Sequence, residues 1–129
     1  ETPYVIVDFH AVTTAEKYTM FYRADGDVSA VIGTGTRVQT NDAAIMPGGT
    51  AVITDVGRTG SRDSVAGLDP GPEIRKFVSS IPERSSDAWD ALQLQAVVLD
   101  IEPDGKAERI EPVTRKCKEA SGDRTGDSA

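Results

Sequence analysis

Two residues near the start of the chain, Asp8 and His10, carry side chains that could take part in catalysis or bind a metal ion. They follow the β-rich run 4–7, which predicts a strand, and α/β sheets build their sites at the carboxyl ends of strands. His10 is the only histidine, so a Ser-His-Asp or Cys-His site would have to use it, and no nucleophile-elbow pattern precedes a helix. We therefore keep two interpretations of His10, a hydrogen-bonded strand-end residue and a metal ligand.

A glycine-rich loop, 33–37, offers a different chemistry because it ends in an arginine. The planar guanidinium of Arg37 suits a phosphate or carboxylate, and glycines leave backbone N–H groups accessible to an anion. The alternative is a solvated Arg37, or one paired with Asp8 or Asp55. The loop lacks the further glycine of a dinucleotide-binding fingerprint, and the chain has no Gly-Lys-Ser/Thr phosphate loop. The predicted anion site comprises Arg37, Gly35 and Thr36.

The elements that would position these residues alternate between strands and a helix. Thr13, with Glu16 three residues later, forms a capping-box pattern and predicts a helix over 15–23. A second strand is expected over 28–32, and short strands near 44–46 and 50–54 flank a Pro-Gly-Gly turn, which predicts a hairpin. Strand ends would then deliver both polar segments to one edge of a sheet.

The second half of the chain has three recognisable parts. Residues 55–72 form a Gly-, Ser-, Asp- and Arg-rich segment that is long for a passive connection. A helix is predicted over 73–80, with Pro72 near its first position and an apolar stripe expected to belong to the core. The stripe comprises Ile74, Phe77 and Val78. Strands over 92–101 and 107–110 predict a closing β-hairpin.

Composition limits the classes of protein to consider. At 129 residues we expect one domain or part of one, over 1–114, followed by a polar, disordered tail over 115–129. The formal charge of −7 repels phosphate backbones and anionic lipids, so neither nucleic acid in bulk nor a membrane is an expected partner. With a single cysteine, Cys117, and no apolar run of membrane-spanning length, the expected location is the cytoplasm.

Three stretches in this order and spacing resemble the YmdB-type bacterial metallophosphoesterases. The resemblance covers roughly residues 5–112 and continues through Thr59-Gly60 to the closing hairpin. It implies a partial, layered metallophosphoesterase-like α/β fold, rich in sheet, with two short helices and a C-terminal β-hairpin. It also implies a family activity, the metal-dependent hydrolysis of phosphodiesters. The stretches are Val-Asp-Phe-His-Ala at 7–11 with Thr-Ala-Glu-Lys at 14–17, Asp-Val-Ser-Ala-Val-Ile-Gly-Thr at 27–34, and Pro-Gly-Gly-Thr-Ala-Val-Ile-Thr-Asp-Val-Gly at 47–57.

Residue by residue, the resemblance implies a depleted metal site. His10 stands at one family ligand position, and Asp8 and Asp55 could support it. Family members read Gly-Thr-His-Thr-His-Val-Gln-Thr where this chain has Gly35 and Arg37 in place of both histidines. The remaining family ligands would lie in an N-terminal half that this sequence does not contain. Glycine offers no ligand and a guanidinium repels a cation, so we expect no catalytic residues here and His10 as the residual ligand.

These expectations favour a non-catalytic metallophosphoesterase-like protein that acts as a binding or structural subunit. The alternative is half of a split phosphodiesterase completed by another chain, in which case a divalent iron or manganese would be bound. Alone, the chain is expected to need no cofactor and to show no activity. An exposed sheet edge would invite a partner chain or a second copy of this chain, and a small phosphate-containing anion is the other expected partner.

Overall fold

A four-stranded sheet places the ends of its parallel strands side by side. In the computed structural model, which describes residues 2–117, its strands are β1 (Ile6–His10), β2 (Ala30–Thr34), β3 (Ala44–Ile45) and β4 (Ala51–Ile53). Their order is β1-β2-β4-β3, with β1, β2 and β4 parallel and β3 antiparallel to β4. The predicted hairpin between β3 and β4 is confirmed, and β1 extends far enough to include Asp8 and His10.

Helix α1 (Thr14–Ala24) covers one face of this sheet. The predicted cap is confirmed, because the Thr13 hydroxyl accepts a hydrogen bond of 3.2 Å from the Glu16 N–H. Phe21, which is fully buried, packs with Val31 and Val52 of the sheet. Burial of such apolar side chains is the main force that holds the helix on the sheet.

A second, antiparallel sheet covers the other face. It consists of β5 (Gly60–Ser61), β6 (Leu92–Ile101) and β7 (Ala107–Lys116), in the order β5-β6-β7. Ala107 of β7, with Leu99 and Ile110, packs against Ala30 and Ala51 of the first sheet. The small alanine side chains allow the two sheets to approach closely. The predicted layered α/β fold with a terminal hairpin is confirmed.

The predicted boundary between domain and tail is two residues early. Arg115 and Lys116 pair with β6 as part of β7, so the ordered strand continues past residue 114. The rest of the predicted tail, 118–129, lies outside the described residues. Within 2–117, no helix has the length and apolar character needed to cross a membrane.

Helix α2 (Pro70–Ser79) begins earlier than predicted and faces solvent. Asp69 caps it by accepting a hydrogen bond of 2.8 Å from the Gly71 N–H, and Pro70 suits the first turn because it needs no N–H partner there. The prediction that its apolar stripe belongs to the core is wrong. Periodic spacing shows that a helix has an apolar face, but it does not show that this chain covers that face. The exposed fractions are 58% for Ile74, 90% for Phe77 and 78% for Val78.

Candidate functional site

At the carboxyl ends of β1 and β2, three side chains form a hydrogen-bonded row. The Thr34 hydroxyl donates to Asp8 Oδ1 over 3.0 Å and lies 3.1 Å from His10 Nδ1. Because the single hydroxyl hydrogen of Thr34 is directed to the carboxylate, its oxygen accepts from His10 Nδ1–H. The imidazole therefore carries a proton on Nδ1, which leaves Nε2 as the ring nitrogen through which it would bind a metal ion.

The parallel register explains why these residues meet. Asp8 pairs with Ile32 and His10 with Thr34, so the row lies on one face of neighbouring strands. The hydrogen bond expected by the structural interpretation of His10 is present. Asp8 orients Thr34, whereas the cap of the following helix is Thr13.

The loop after β2 is closed tightly against the segment after β1. Gly35 has φ +123°, and a Cβ built on it would lie 2.5 Å from the Ala11 carbonyl oxygen and 3.5 Å from His10 Cε1. Backbone at such a φ is costly for any residue with a side chain, and the carbonyl cannot move aside as a flexible side chain would. In this loop conformation, position 35 accepts only glycine.

A buried ion pair fixes the other side of the same loop. Lys17 of α1 and Asp55, which follows β4, are both fully buried, with Nζ 3.0 Å from Oδ2. Asp55 also accepts the N–H of Thr36 over 2.8 Å and that of Gly57 over 2.8 Å. Asp55 thus ties the helix, the loop and its own turn together. The Thr36 N–H is already satisfied by this bond, so it is not available to an anion.

Hydrogen bonding controls the ionisation of Asp55. Burial by itself would raise its pKa, but the hydrogen bonds from Thr36, Gly57 and Lys17 outweigh burial and lower the pKa below the usual value. Asp55 is therefore a stable carboxylate that holds structure, which makes it unsuited to releasing and accepting protons near neutrality. The prediction that Asp55 supports a metal site stays a prediction.

A second carboxylate, Asp42, holds the structure beside β4 in a similar way, as an acceptor of several hydrogen bonds. It accepts hydrogen bonds from the Thr40 hydroxyl over 2.6 Å, from the Tyr18 hydroxyl over 3.2 Å, and from the N–H and hydroxyl of Thr54. Burial opposes ionisation, but these donors lower the pKa of Asp42. Burial together with the negative charge of Asp42 raises the pKa of Tyr18. Both groups hence keep their ordinary neutral-pH charge.

The lowered pKa values of Asp42 and Asp55 predict how the free energy of unfolding changes at acid pH. A carboxyl whose folded pKa is depressed stabilises the fold above its unfolded pKa, near 3.8, and loses that contribution as pH falls through the folded value. The free energy of unfolding should thus be nearly constant from about pH 7 to 5 and fall steeply below about 4. Urea unfolding across this range measures it.

Asp42→Asn and Asp27→Asn are the matched variants for this measurement. Asp27 is an exposed partner of Arg23, whereas Asp42 is the part-buried acceptor. The loss of stability below pH 4 should be smaller in Asp42→Asn and unchanged in Asp27→Asn. An equal pH dependence in wild type and Asp42→Asn would contradict this account.

Arg37 lines a cavity that is not lined by Asp8, Thr34 or His10. Arg37 is exposed and, within the described part of the chain, makes no ion pair with Asp8 or Asp55, which pairs with Lys17 instead. The predicted pairing is therefore wrong, whereas the predicted solvated Arg37 agrees with the exposure of this residue. Arg37 lines a cavity together with Arg58, a residue that the sequence patterns did not single out. Anion binding by Arg37, Gly35 and Thr36 stays a prediction, although the Thr36 N–H is already bonded to Asp55.

The metal-binding side chains of the described residues do not fit a two-metal centre. Across residues 2–117, no three side chains of His, Cys, Asp or Glu come together in a group able to hold a metal ion. The Asp8 carboxylate contacts the same Thr34 hydroxyl as His10 and is engaged by it. Two metal ions would need several imidazole and carboxylate ligands at once.

Comparison with known proteins agrees with the fold. The chain is 45% identical over 113 residues to the 2',3'-cyclic-nucleotide 2'-phosphodiesterase of Bacillus subtilis (strain 168), an alignment that covers 87% of this chain and 43% of that protein. A crystal structure of a hypothetical protein from Thermus thermophilus superimposes with a TM-score of 0.84 at 35% identity, covering 88% of this chain and 45% of that one. A novel phosphatase from Mycoplasma pneumoniae gives the same TM-score and identity, with 88% and 41% covered.

The chain spans less than half the length of these relatives. The sequence profile of the family described as YmdB-like protein matches residues 1–113, nearly all of the described part. A resemblance carried by the motifs at 7–17, 27–34 and 47–57 is thereby confirmed. This chain belongs to the YmdB-like family, whose relatives carry the names of phosphodiesterases and phosphatases.

Proposed function

We propose that this chain is a non-catalytic YmdB-like protein that acts as a binding or structural subunit. The observation that carries the proposal is the loop conformation at Gly35. The family resemblance implies a metal-binding histidine at this position, but the backbone here has φ +123° and approaches the Ala11 carbonyl too closely for any Cβ. The space that an imidazole would need is taken up by backbone.

The charge at Arg37 supports the same proposal. This residue replaces the second histidine that the resemblance implies, and its guanidinium carries a permanent positive charge. Arg37 lines a cavity with Arg58, and His10 is not part of that lining. His10 is the one imidazole of the chain, and a lone imidazole does not form a hydrolytic two-metal centre.

Exposed apolar surface supports the binding part of the proposal. Strand β1 is at the edge of its sheet, and residues 4–6 beside this edge are exposed apolar side chains, Ile6 at 58%. The apolar face of α2, defined above by Ile74, Phe77 and Val78, is exposed as well. Unpaired strand edges and apolar patches are the surfaces that protein partners cover. The proposed partner is therefore a protein chain, either another protein or a second copy.

Metal content and hydrolysis test the proposal directly. The purified chain, incubated with manganese or ferrous iron and then desalted, should retain well below one equivalent of metal. It should hydrolyse bis(p-nitrophenyl) phosphate no faster than the metal-only blank. Stoichiometric metal together with turnover that His10→Asn abolishes would overturn the proposal.

One observation favours a second candidate, half of a split metal-dependent phosphodiesterase completed by another chain. In the row of Asp8, Thr34 and His10 the Nδ1 atom of the imidazole is held by Thr34, which leaves Nε2 as the nitrogen for a metal ion. The double variant Gly35→His/Arg37→His separates the two candidates. The split enzyme predicts tighter manganese binding that depends on His10, whereas the non-catalytic subunit predicts reduced stability with no gain in manganese affinity.

A further inference from the structure

A cavity of about 380 Å³ lies between the segment after β4 and the segment before β6. Two arginines line it from different parts of the chain, Arg37 from the loop after β2 and Arg58 from the segment that follows β4. It is separate from the row of Asp8, Thr34 and His10, none of which lines it. Two arginines brought to one cavity by the fold need a physical explanation, because like charges repel.

The hydrogen bonding of Arg58 supplies the central observation. Its Nη2 donates to the Ser61 carbonyl oxygen over 2.7 Å and to the Ser64 hydroxyl over 2.8 Å, which holds the side chain in place. Its Nε and Nη1 are buried and find no acceptor among the described residues, and neither does the buried Ser61 hydroxyl. Buried donors on a charged group are costly when unpaired, so this arrangement is suited to an acceptor that comes from outside the chain.

The charges around the cavity favour an anion that carries few charges. Within residues 2–117, neither Arg37 nor Arg58 is among the residues that form ion pairs with carboxylates. Asp87 also lines the cavity, so two arginines and one aspartate leave a local charge of +1. This local excess is opposite in sign to the net charge of the chain, −7. Asp87 and the net charge of the chain repel a polyanion more strongly than a single oxyanion group, because the repulsion grows with the charge of the ligand.

The remaining lining adds a flat apolar surface. Trp89, which is 73% exposed, lines the cavity beside the arginines. Large aromatic side chains left in solvent at the rim of a polar cavity are suited to stack on planar groups. A ligand that satisfies the cavity would therefore combine one oxyanion with a flat ring.

We propose that the cavity between Arg37, Arg58 and Trp89 binds a small organic oxyanion, with its phosphate or carboxylate group on the arginines and its ring on Trp89. The site goes beyond the proposed function, because it binds an anion rather than a metal ion and, apart from Arg37, uses none of the residues at the implied metal position. Ser61 and the free donors of Arg58 hold the anionic end, and Asp87 limits the charge that the site accepts.

The chain provides its own reporter for this site, since Trp89 is its only tryptophan. Trp89 fluorescence should be titrated in EDTA, which removes any dependence on metal, with phenyl phosphate, benzoate, inorganic phosphate and benzylamine. We expect saturable changes with phenyl phosphate or benzoate, weaker binding of inorganic phosphate because it lacks a ring, and none with benzylamine because its charge is positive. Whichever of phenyl phosphate and benzoate binds more tightly identifies the anionic group that the site prefers.

Three methionine variants test the assignment. Arg58→Met should weaken binding about tenfold or more, as the loss of a charged hydrogen-bond donor does, and Arg37→Met should weaken it as well. Arg62→Met is the matched control, because it removes the same charge from the same segment while Arg62 pairs with Asp63 in solvent. Arg62→Met should bind phenyl phosphate and benzoate with the same affinity as wild type.

Several results would overturn the assignment. The first is the absence of a saturable change in Trp89 fluorescence with both phenyl phosphate and benzoate. The second is an equal loss of affinity in Arg62→Met and Arg58→Met. The third is benzylamine binding as tightly as benzoate. Arg58→Met could fail to fold, because Nη2 holds Ser61 and Ser64. In that case Arg37→Met decides the question, since Arg37 is exposed and forms no ion pair among residues 2–117. Unchanged affinity in that variant would remove Arg37 from the site and refute the proposal.

Discussion

Lys17→Met should destabilise the fold by about 3–5 kcal/mol, the typical result of removing one partner from a buried ion pair. Lys17 and Asp55 are both fully buried, so the substitution leaves a carboxylate with no cation and no water. Methionine keeps the length and apolar stem of lysine, so the loss reports the charge rather than a cavity. Urea unfolding followed by circular dichroism at pH 7 measures it.

Arg23→Met on the same helix is the control. It removes the same charge from an ion pair whose side chains are 79% and 69% exposed, and such pairs contribute about 0–1 kcal/mol. The double variant Lys17→Met/Asp55→Asn should recover part of the loss, because it removes the stranded charge while the asparagine oxygen still accepts an N–H. If Lys17→Met lost no more stability than Arg23→Met, the buried pair would not have the role assigned to it.

The Lys17–Asp55 pair was absent from the sequence-based predictions, yet part of its signal was present. Phe21 and Ala24 are the buried residues of α1, and Lys17 lies four and seven positions before them, which places it on the same face of the helix. A lysine on an apolar face implies a buried acid partner. The identity of that partner depends on how β4 ends beside the helix, and no local pattern specifies this.

Other elements divide in the same way between local and tertiary causes. The Thr13 cap and the β6–β7 hairpin follow from short-range chemistry, and the sequence was sufficient to predict both. The α2 stripe has equally clear spacing, but its burial depends on what packs against it, and Phe77 is exposed. No sequence pattern distinguishes Arg58. Its Nε and Nη1 groups are buried without acceptors only because the segments at 58–67 and 87–92 come together in the fold.

Gly33→Ala should destabilise the fold by about 3 kcal/mol or more, because the new methyl group would enter the backbone of the neighbouring segment. A Cβ at this position would lie 1.9 Å from the Thr54 carbonyl oxygen and 2.9 Å from that of Ile53. Both atoms belong to the chain at the end of β4, so relief requires β2 and β4 to separate rather than a side chain to rotate. Urea unfolding measures the loss.

Gly71→Ala is the matched control, since it adds the same methyl group where its near neighbours are side-chain atoms, Asp69 Oδ1 at 3.3 Å and Arg75 Nη1 at 3.5 Å. Those side chains can move, and alanine restricts the unfolded chain, so we expect the free energy of unfolding to stay within about 1 kcal/mol of wild type.

The two variants, Gly33→Ala and Gly71→Ala, also differ in where they loosen the structure. The Val56 N–H donates to the Gly33 carbonyl over 2.9 Å, so its hydrogen exchange should accelerate in Gly33→Ala alone. Equal stability and equal Val56 exchange in both variants would mean that β2 and β4 have room to separate at no cost, contrary to the close backbone approach at Gly33.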